Sequence, residues 1–171
     1  YIRFGLWEEI LNLHQPEDTN LYVTTYALLY YAKAVASANL GRIKEAKRFV
    51  ARFSKAFVKV PDTRMLFNNK SQDILRIAEE MMKGEVFFKA GDQGKGLSYL
   101  RKAVELDDGL AYEEPWGWPQ PARHALGALL MEVGKYGEAE SVYRADLGLD
   151  GKLPRPRQHP QNVWALHGLH E

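Results

Sequence analysis

The stretch that decides the fold is Arg123-His-Ala-Leu-Gly-Ala-Leu-Leu-Met-Glu-Val-Gly-Lys-Tyr-Gly-Glu-Ala-Glu-Ser-Val-Tyr143. Its apolar residues recur at intervals of three and four, which is typical of amphipathic helices, and Gly134 interrupts them where a tight turn is expected. Gly127 in the first half and Ala139 in the second are small enough to let two helix backbones approach closely. Tyr143 would fill the space beside them. The stretch therefore predicts a closely packed pair of short helices.

The same pattern recurs along the chain when Gly134, Gly91 and Gly41 are aligned as equivalent turns. Small residues then stand five positions after each turn and seven positions before it: Ala139, Gly96, Ala46, Gly127, Gly84 and Ala34. The alignment predicts full helix pairs at about 21–60, 71–108 and 119–149, with partial ones at 1–14 and 161–171. Insertions at 58–70 and 107–121 separate the pairs.

Leu126-Gly127, Ala139 and Tyr143 fall in the Leu-Gly, Ala, aromatic order of a tetratricopeptide repeat, and the stretch resembles that family. The resemblance implies an all-α fold in which antiparallel helix pairs form a right-handed solenoid, with residues 1–171 as a single domain. The turns are spaced more widely than the family's repeat of about 34 residues, so we expect degenerate units with insertions.

The chain also resembles the C-terminal part of longer tetratricopeptide proteins that have no settled activity. The matching residues include Arg3–Leu11, Ala111–Pro115 and Trp164–Leu169. The sequence begins without Met and stops inside a helical pattern. We therefore expect a fragment of a longer protein, in which further repeats come before this segment.

The composition is that of an ordinary globular protein. Of its 171 residues 46% are hydrophobic and 26% are charged, and the net charge is +1, so overall charge favours neither nucleic acid nor an acidic surface. The absence of cysteine excludes disulfides, thiolate nucleophiles and Cys-ligated metals, and it fits a cytoplasmic protein without excluding an exported one. No apolar run is long enough to span a bilayer, and we expect no membrane association.

In tetratricopeptide arrays the first helix of each pair lines a concave groove. Carried over by register, this resemblance places a mostly apolar set in the groove: Tyr31, Val35, Met81, Glu85, Phe88, His124 and Met131. Such a groove favours an apolar peptide or helix as partner, and it lacks the Lys, Arg and Asn that clamp a terminal carboxylate. The alternative is that a neighbouring segment of the same protein fills the groove.

The loop Tyr112-Glu-Glu-Pro-Trp-Gly-Trp-Pro119 is unusual because it concentrates aromatic residues outside a helix. Exposed tryptophans often anchor protein interfaces, so Tyr112, Glu113, Glu114, Trp116 and Trp118 are predicted to form an interface loop. Glu113 and Glu114 are adjacent and would point apart in an extended loop, which argues against a catalytic pair. The alternative is that both tryptophans pack over the ends of neighbouring repeats.

The residues from Arg42 to Lys59 include seven basic side chains and a single acidic one, Glu45. Lys44, Arg48, Arg52, Lys55 and Lys59 form a stripe that can face an acidic partner or RNA. The alternative is a solvated outer face, which is favoured because no aromatic residue interleaves the stripe for base stacking. Nucleic acid is therefore not expected as a partner.

No motif establishes catalysis. The chain has no nucleophile elbow, phosphate-binding loop or dinucleotide turn, so no cofactor is expected. His167 and His170 share a helix face and are weak candidates for a metal site, and a wider site joining Arg123, His124 and Glu113 or Glu114 is a further possibility. The sequence thus predicts a protein- or peptide-binding scaffold. The alternative is the C-terminal part of an enzyme or metal protein whose active residues lie mainly upstream.

Overall fold

The computed structural model describes residues 1–171 and is built almost entirely of helices. The α-helices are α1 Trp7–Asn12, α2 Val23–Asn39, α3 Ile43–Phe57, α4 Ser71–Lys89, α5 Gln93–Asp108, α6 Ala122–Glu132, α7 Tyr136–Asp146 and α8 Val163–His170. Short 3-10 turns occupy Ile2–Phe4 and Arg155–Arg157, and two short antiparallel strands, β1 Met65–Leu66 and β2 Asn69–Lys70, form a hairpin. The all-α prediction is confirmed.

The three predicted turns are built in the same way. Gly41, Gly91 and Gly134 have φ angles of 74°, 97° and 72°, in the left-handed region that glycine enters without strain. After each of them the next backbone N–H bonds to a carbonyl five residues earlier, as Arg42 N does to Ser37 O at 2.8 Å. This Schellman-type ending stops α2, α4 and α6 at equivalent positions, and α3, α5 and α7 pack back on them.

Two compact units make up the chain, Tyr1–Trp118 and Pro119–Glu171. In the first unit α2 packs on α1, α3 and α4, and α4 packs on α5. In the second unit α6, α7 and α8 pack on one another. The right-handed solenoid and the single repeat domain stay predictions.

The backbones of α4 and α5 touch where two glycines face each other. A Cβ atom added to Gly96 would lie 2.8 Å from the carbonyl oxygen of Gly84 and 2.8 Å from the backbone nitrogen of Phe88. A Cβ atom added to Gly84 would lie 2.7 Å from Leu100 Cγ. The small residue is therefore required at Gly96 by contact with the backbone of α4, and at Gly84 by contact with the side chain of Leu100.

In the second unit the ring of Tyr143 lies between two glycines on different helices. An added Cβ atom would lie 2.4 Å from this ring at Gly127 in α6, and 2.3 Å from it at Gly168 in α8. Tyr143 is buried in α7, so a single side chain sets the spacing of all three helices. The predicted packing of Tyr143 beside Gly127 is confirmed, and Gly168 makes the corresponding contact in α8.

The insertion at 58–70 contains the hairpin of β1 and β2 and is not entirely irregular. Its hairpin was not predicted, because two strands of two residues each carry no readable alternation. The hairpin is stabilised by hydrogen bonds with residues 111–113, which are distant from it in sequence.

The contact between α4 and α5 gives a direct test. Gly96→Ala should lower the free energy of unfolding by about 2–3 kcal/mol, because backbone atoms on α4 cannot move aside for the methyl group. Gly94→Ala, also in α5 but with nothing within 4 Å of its added Cβ, should be neutral or stabilising by roughly 0.5 kcal/mol. Urea unfolding followed by circular dichroism measures both, and equal effects would contradict the close approach.

Candidate functional site

The hairpin of β1 and β2 is tied to the Trp-rich loop by the amide of Asn69. Its side-chain oxygen accepts a hydrogen bond from Ala111 N at 2.7 Å, and its side-chain nitrogen donates to Ala111 O at 2.9 Å. Asn69 is buried, so these bonds satisfy both halves of its amide in place of water. The paired bonds fix the hairpin and the loop in one relative position.

Two further residues complete this junction. Asn68 donates its backbone N–H to Glu113 Oε2 at 2.8 Å and its side-chain amide to Tyr112 O at 2.8 Å. Glu113 is buried, and a Cβ atom at Gly117 would lie only 2.4 Å from its Oε1. Residues 65–69 and 111–117 therefore form one hydrogen-bonded structure, which we call the hairpin–loop surface.

This surface exposes large apolar and aromatic side chains. The exposed fraction is 71% for Phe67 and between 41% and 50% for Met65, Leu66, Tyr112 and Trp116. Phe67 stands at the tip with φ of 48°, an uncommon conformation for a bulky residue.

The two carboxylates of the Trp-rich loop point in different directions. Glu113 is buried against Asn68, whereas Glu114 is exposed and accepts a hydrogen bond from the hydroxyl of Tyr112. The predicted divergence of Glu113 and Glu114 is confirmed, and they do not form an acid pair.

The two tryptophans of the loop occupy different environments. Trp118 is buried, donates its indole N–H to the sulfur of Met81 at 3.1 Å, and meets the ring of Tyr31 edge-on at 5.4 Å between centroids. Trp116 is half-exposed. The sequence treated both alike, but Trp118 packs in the core and Trp116 lies on the surface.

Most residues predicted to line a groove lie in the core. Six members of that set are buried: Tyr31, Val35, Met81, Glu85, Phe88 and His124. An open groove was expected, but Trp118 of the same chain covers Tyr31 and Met81. This agrees with the alternative in which a neighbouring segment fills the groove.

Glu85 is a buried carboxyl with one neutral partner. The amide of Asn39 donates a hydrogen bond to Glu85 Oε2 at 3.0 Å. Burial raises the pKa of Glu85 to about 7, against the opposing effects of that bond and of the charge on Lys89. Burial and the nearby Glu85 also raise the pKa of Tyr31 well above its usual value. Both groups are therefore held neutral in the core at mildly acidic pH.

The second unit contains a buried polar cluster around Asp146, the last residue of α7. Because a carboxylate only accepts, His124 Nε2 donates to it at 2.9 Å, His159 Nδ1 at 2.8 Å and Asn162 Nδ2 at 2.8 Å. Burial alone would raise the pKa of Asp146, but the bonds from the two histidines outweigh it and lower the pKa to about 2. The backbone N–H of His159 also bonds to Asp146 O at 2.6 Å.

His124 was predicted to face a groove, and it lies instead in this cluster. Its ring stacks on Trp164 with centroids 6.1 Å apart, and its Nδ1 is buried with no hydrogen-bond partner. Met131 is only partly buried. Sequence reasoning missed Asp146, because its partners His159 and Asn162 lie near the end of an irregular segment whose course no periodicity predicts.

The other histidines are on the surface. The side chain of His167 is 70% exposed and lies 3.9 Å from Glu171. His170 is also exposed. No group of three or more His, Asp or Glu side chains is arranged to hold a metal ion.

Comparisons with protein-family models, with curated proteins and with solved structures found no match for this chain. None of the helices has the length and apolar character needed to cross a membrane. A function for the chain must therefore be argued from its own geometry.

Glu85 predicts a pH dependence of stability. Its folded pKa of about 7 lies above the ordinary 4.5, so between these values the folded state holds a proton that the unfolded state lacks. Stability should fall as the pH rises through this window, by on the order of 3 kcal/mol. Glu85→Gln, which keeps an acceptor for Asn39, should remove this slope. The exposed Glu105→Gln should leave it unchanged, and a slope that persists in Glu85→Gln would contradict the assignment.

The Asp146 cluster predicts that a conservative substitution of Asp146 strongly lowers the free energy of unfolding. Asp146→Asn keeps the side-chain size but removes an acceptor oxygen that buried donors need, so the free energy of unfolding should fall by roughly 2–3 kcal/mol. Glu140→Gln, also in α7, breaks only an exposed pair with Arg144 at 3.7 Å and should cost less than about 1 kcal/mol. Thermal unfolding compares the two variants, and a near-neutral Asp146→Asn would show that the cluster does not stabilise the unit.

Proposed function

We propose that the chain is a tetratricopeptide-type module that binds a protein partner through the hairpin–loop surface. The repeat assignment is supported by the equivalent glycine turns at Gly41, Gly91 and Gly134 and by small residues at equal offsets from them. Helix repeats of this kind commonly act as binding scaffolds, with insertions available for recognition.

The observation that carries the proposal is the exposure of Met65, Leu66, Phe67, Tyr112 and Trp116 on one hydrogen-bonded structure. Scattered apolar side chains are normal on protein surfaces, but a cluster in two connected segments is typical of interaction sites. Tryptophan and tyrosine are also the residues most often responsible for binding energy.

The junction beneath these side chains favours tight binding. Buried hydrogen bonds from Asn68 and Asn69 already order the hairpin and the loop. Binding then loses little backbone entropy, which is the main cost for a flexible loop. The uncommon conformation of Phe67 is consistent with a side chain kept for contact rather than for local stability.

The partner that fits this surface is a folded protein with an apolar pocket. Phe67 at the hairpin tip is 71% exposed, so we infer that this side chain inserts into the partner. A peptide in the groove is less favoured, because Tyr31, Val35 and Met81 are buried. Substituting those residues would remove core contacts and test folding rather than recognition.

Phe67→Asn tests this proposal without harming the fold, because Asn adopts a left-handed conformation more readily than Phe. A protein recovered from source-cell extract with the tagged wild-type chain is purified and titrated calorimetrically against wild type and variant. We expect Phe67→Asn to weaken binding about tenfold or more, as loss of a buried aromatic anchor does. Trp116→Ala should act in the same direction.

The matched control is Leu21→Asn, which changes an exposed apolar residue outside the hairpin–loop surface. It should bind the partner as the wild type does. Failure to recover any protein, unchanged binding by Phe67→Asn, or equal weakening by Leu21→Asn would each refute the proposal. Thermal unfolding of each variant confirms that the fold is retained.

A further inference from the structure

A second surface lies where the C-terminal half of α3 meets α2. It forms an open cavity of about 760 Å³ whose lining includes Tyr26, Tyr30, Arg52, Lys55, Val58 and Lys59. Arg52, Lys55, Val58 and Lys59 are exposed, and Val58 has 86% of its surface accessible. The cavity therefore combines an apolar and aromatic floor with a cationic rim.

No acidic residue lines this cavity. Three cations therefore face the same space without a carboxylate among the lining residues to neutralise them. Close cations repel one another, and an anionic group bound between them would relieve that repulsion. The charge of the site points to an acidic ligand.

The floor is held in a fixed arrangement. The hydroxyl of Tyr30 donates to that of Tyr26 at 2.9 Å, with the rings edge-to-face at 5.0 Å. Arg52 lies 5.9 Å from the centre of the Tyr30 ring, within cation–π distance. Burial, followed by the bond to Tyr26, raises the pKa of Tyr30, so the ring stays neutral and the positive charge of the site is undiminished.

We propose that this cavity docks an acidic peptide segment of a partner protein, with carboxylates at Arg52, Lys55 and Lys59 and an apolar side chain over Tyr26 and Val58. A peptide supplies both components at the spacing of neighbouring residues. The cavity shares no residue with the hairpin–loop surface. The two proposals can therefore succeed or fail separately.

Single-stranded RNA is the other anionic polymer to weigh, and the aromatic geometry disfavours it. Bases bind to proteins by stacking on open ring faces. Tyr30 is buried, and its face is already stacked on Phe49, with centroids 6.2 Å apart and planes at 26°. The sequence showed no aromatic beside the basic stripe, and the structure supplies Tyr26 and Tyr30 from α2. Their edges and hydroxyls suit a peptide better than a base.

The test uses labelled peptides and fluorescence anisotropy with the full chain. The first probe is a short peptide with the core Asp-Glu-Phe-Glu-Asp. In the second, Asn and Gln replace the acidic residues, and in the third, Gly replaces Phe. The first should bind in the micromolar range, roughly 10–100 μM, and each of the others should bind about tenfold more weakly. An oligouridylate of similar charge should bind more weakly than the first peptide.

Lys55→Glu combined with Lys59→Glu should weaken binding of the acidic peptide about 10- to 100-fold. Lys44→Glu combined with Lys47→Glu makes the same charge change on exposed positions of α3 outside the cavity, and should change binding less than about threefold. Circular dichroism checks that both double variants stay helical. The proposal is overturned if no acidic peptide binds, if the amide or glycine peptide binds equally well, if both double variants lose binding alike, or if the oligouridylate binds more tightly.

Discussion

The close approach of helix backbones is the constraint on which the rest of the structure depends. At Gly84 and Gly96 two helices touch so closely that a methyl group on Gly96 would collide with backbone atoms. In the second unit the ring of Tyr143 fits between Gly127 and Gly168, leaving no room for a Cβ atom on either. Once these contacts are set, the helix spacing is fixed, and every residue facing inward must fill a space of fixed shape.

This rigidity explains what happens to the two insertions of the first unit. The helices satisfy their own backbone groups, but residues 58–70 and 107–121 must find partners elsewhere. They find them in each other, through the amide of Asn69 and the carboxylate of Glu113. A buried polar junction specifies a single arrangement, because any slip would leave buried groups unpaired. Several apolar side chains outside this junction, among them Phe67 and Trp116, are exposed rather than buried.

The sequence was sufficient to predict the helix pairs, because their turns depend on glycine and their contacts on small residues at fixed offsets. It also predicted the packing of Tyr143 beside Gly127. It did not predict that the expected groove residues would be covered. Trp118, which contacts Met81, lies in a loop that is distant from Met81 in sequence. The partners of Asp146 were hidden for the same reason. Local spacing predicts helices, whereas contacts across irregular segments depend on the path of the chain.

The two units are stabilised by different interactions, because they differ in size. The first buries a large apolar core and tolerates the carboxyl of Glu85 within it by keeping that group protonated at mildly acidic pH. The second has only about fifty residues, a size at which a hydrophobic core alone gives marginal stability. It also carries a long irregular segment between α7 and α8.

Asp146 lies at the start of that segment and binds His159 and Asn162 near its end. One ionised side chain therefore closes the loop and supports the cap of α8 through Asn162. The polar cluster therefore substitutes for core that the smaller unit cannot form, and this accounts for a buried His–Asp arrangement without assigning it a catalytic role.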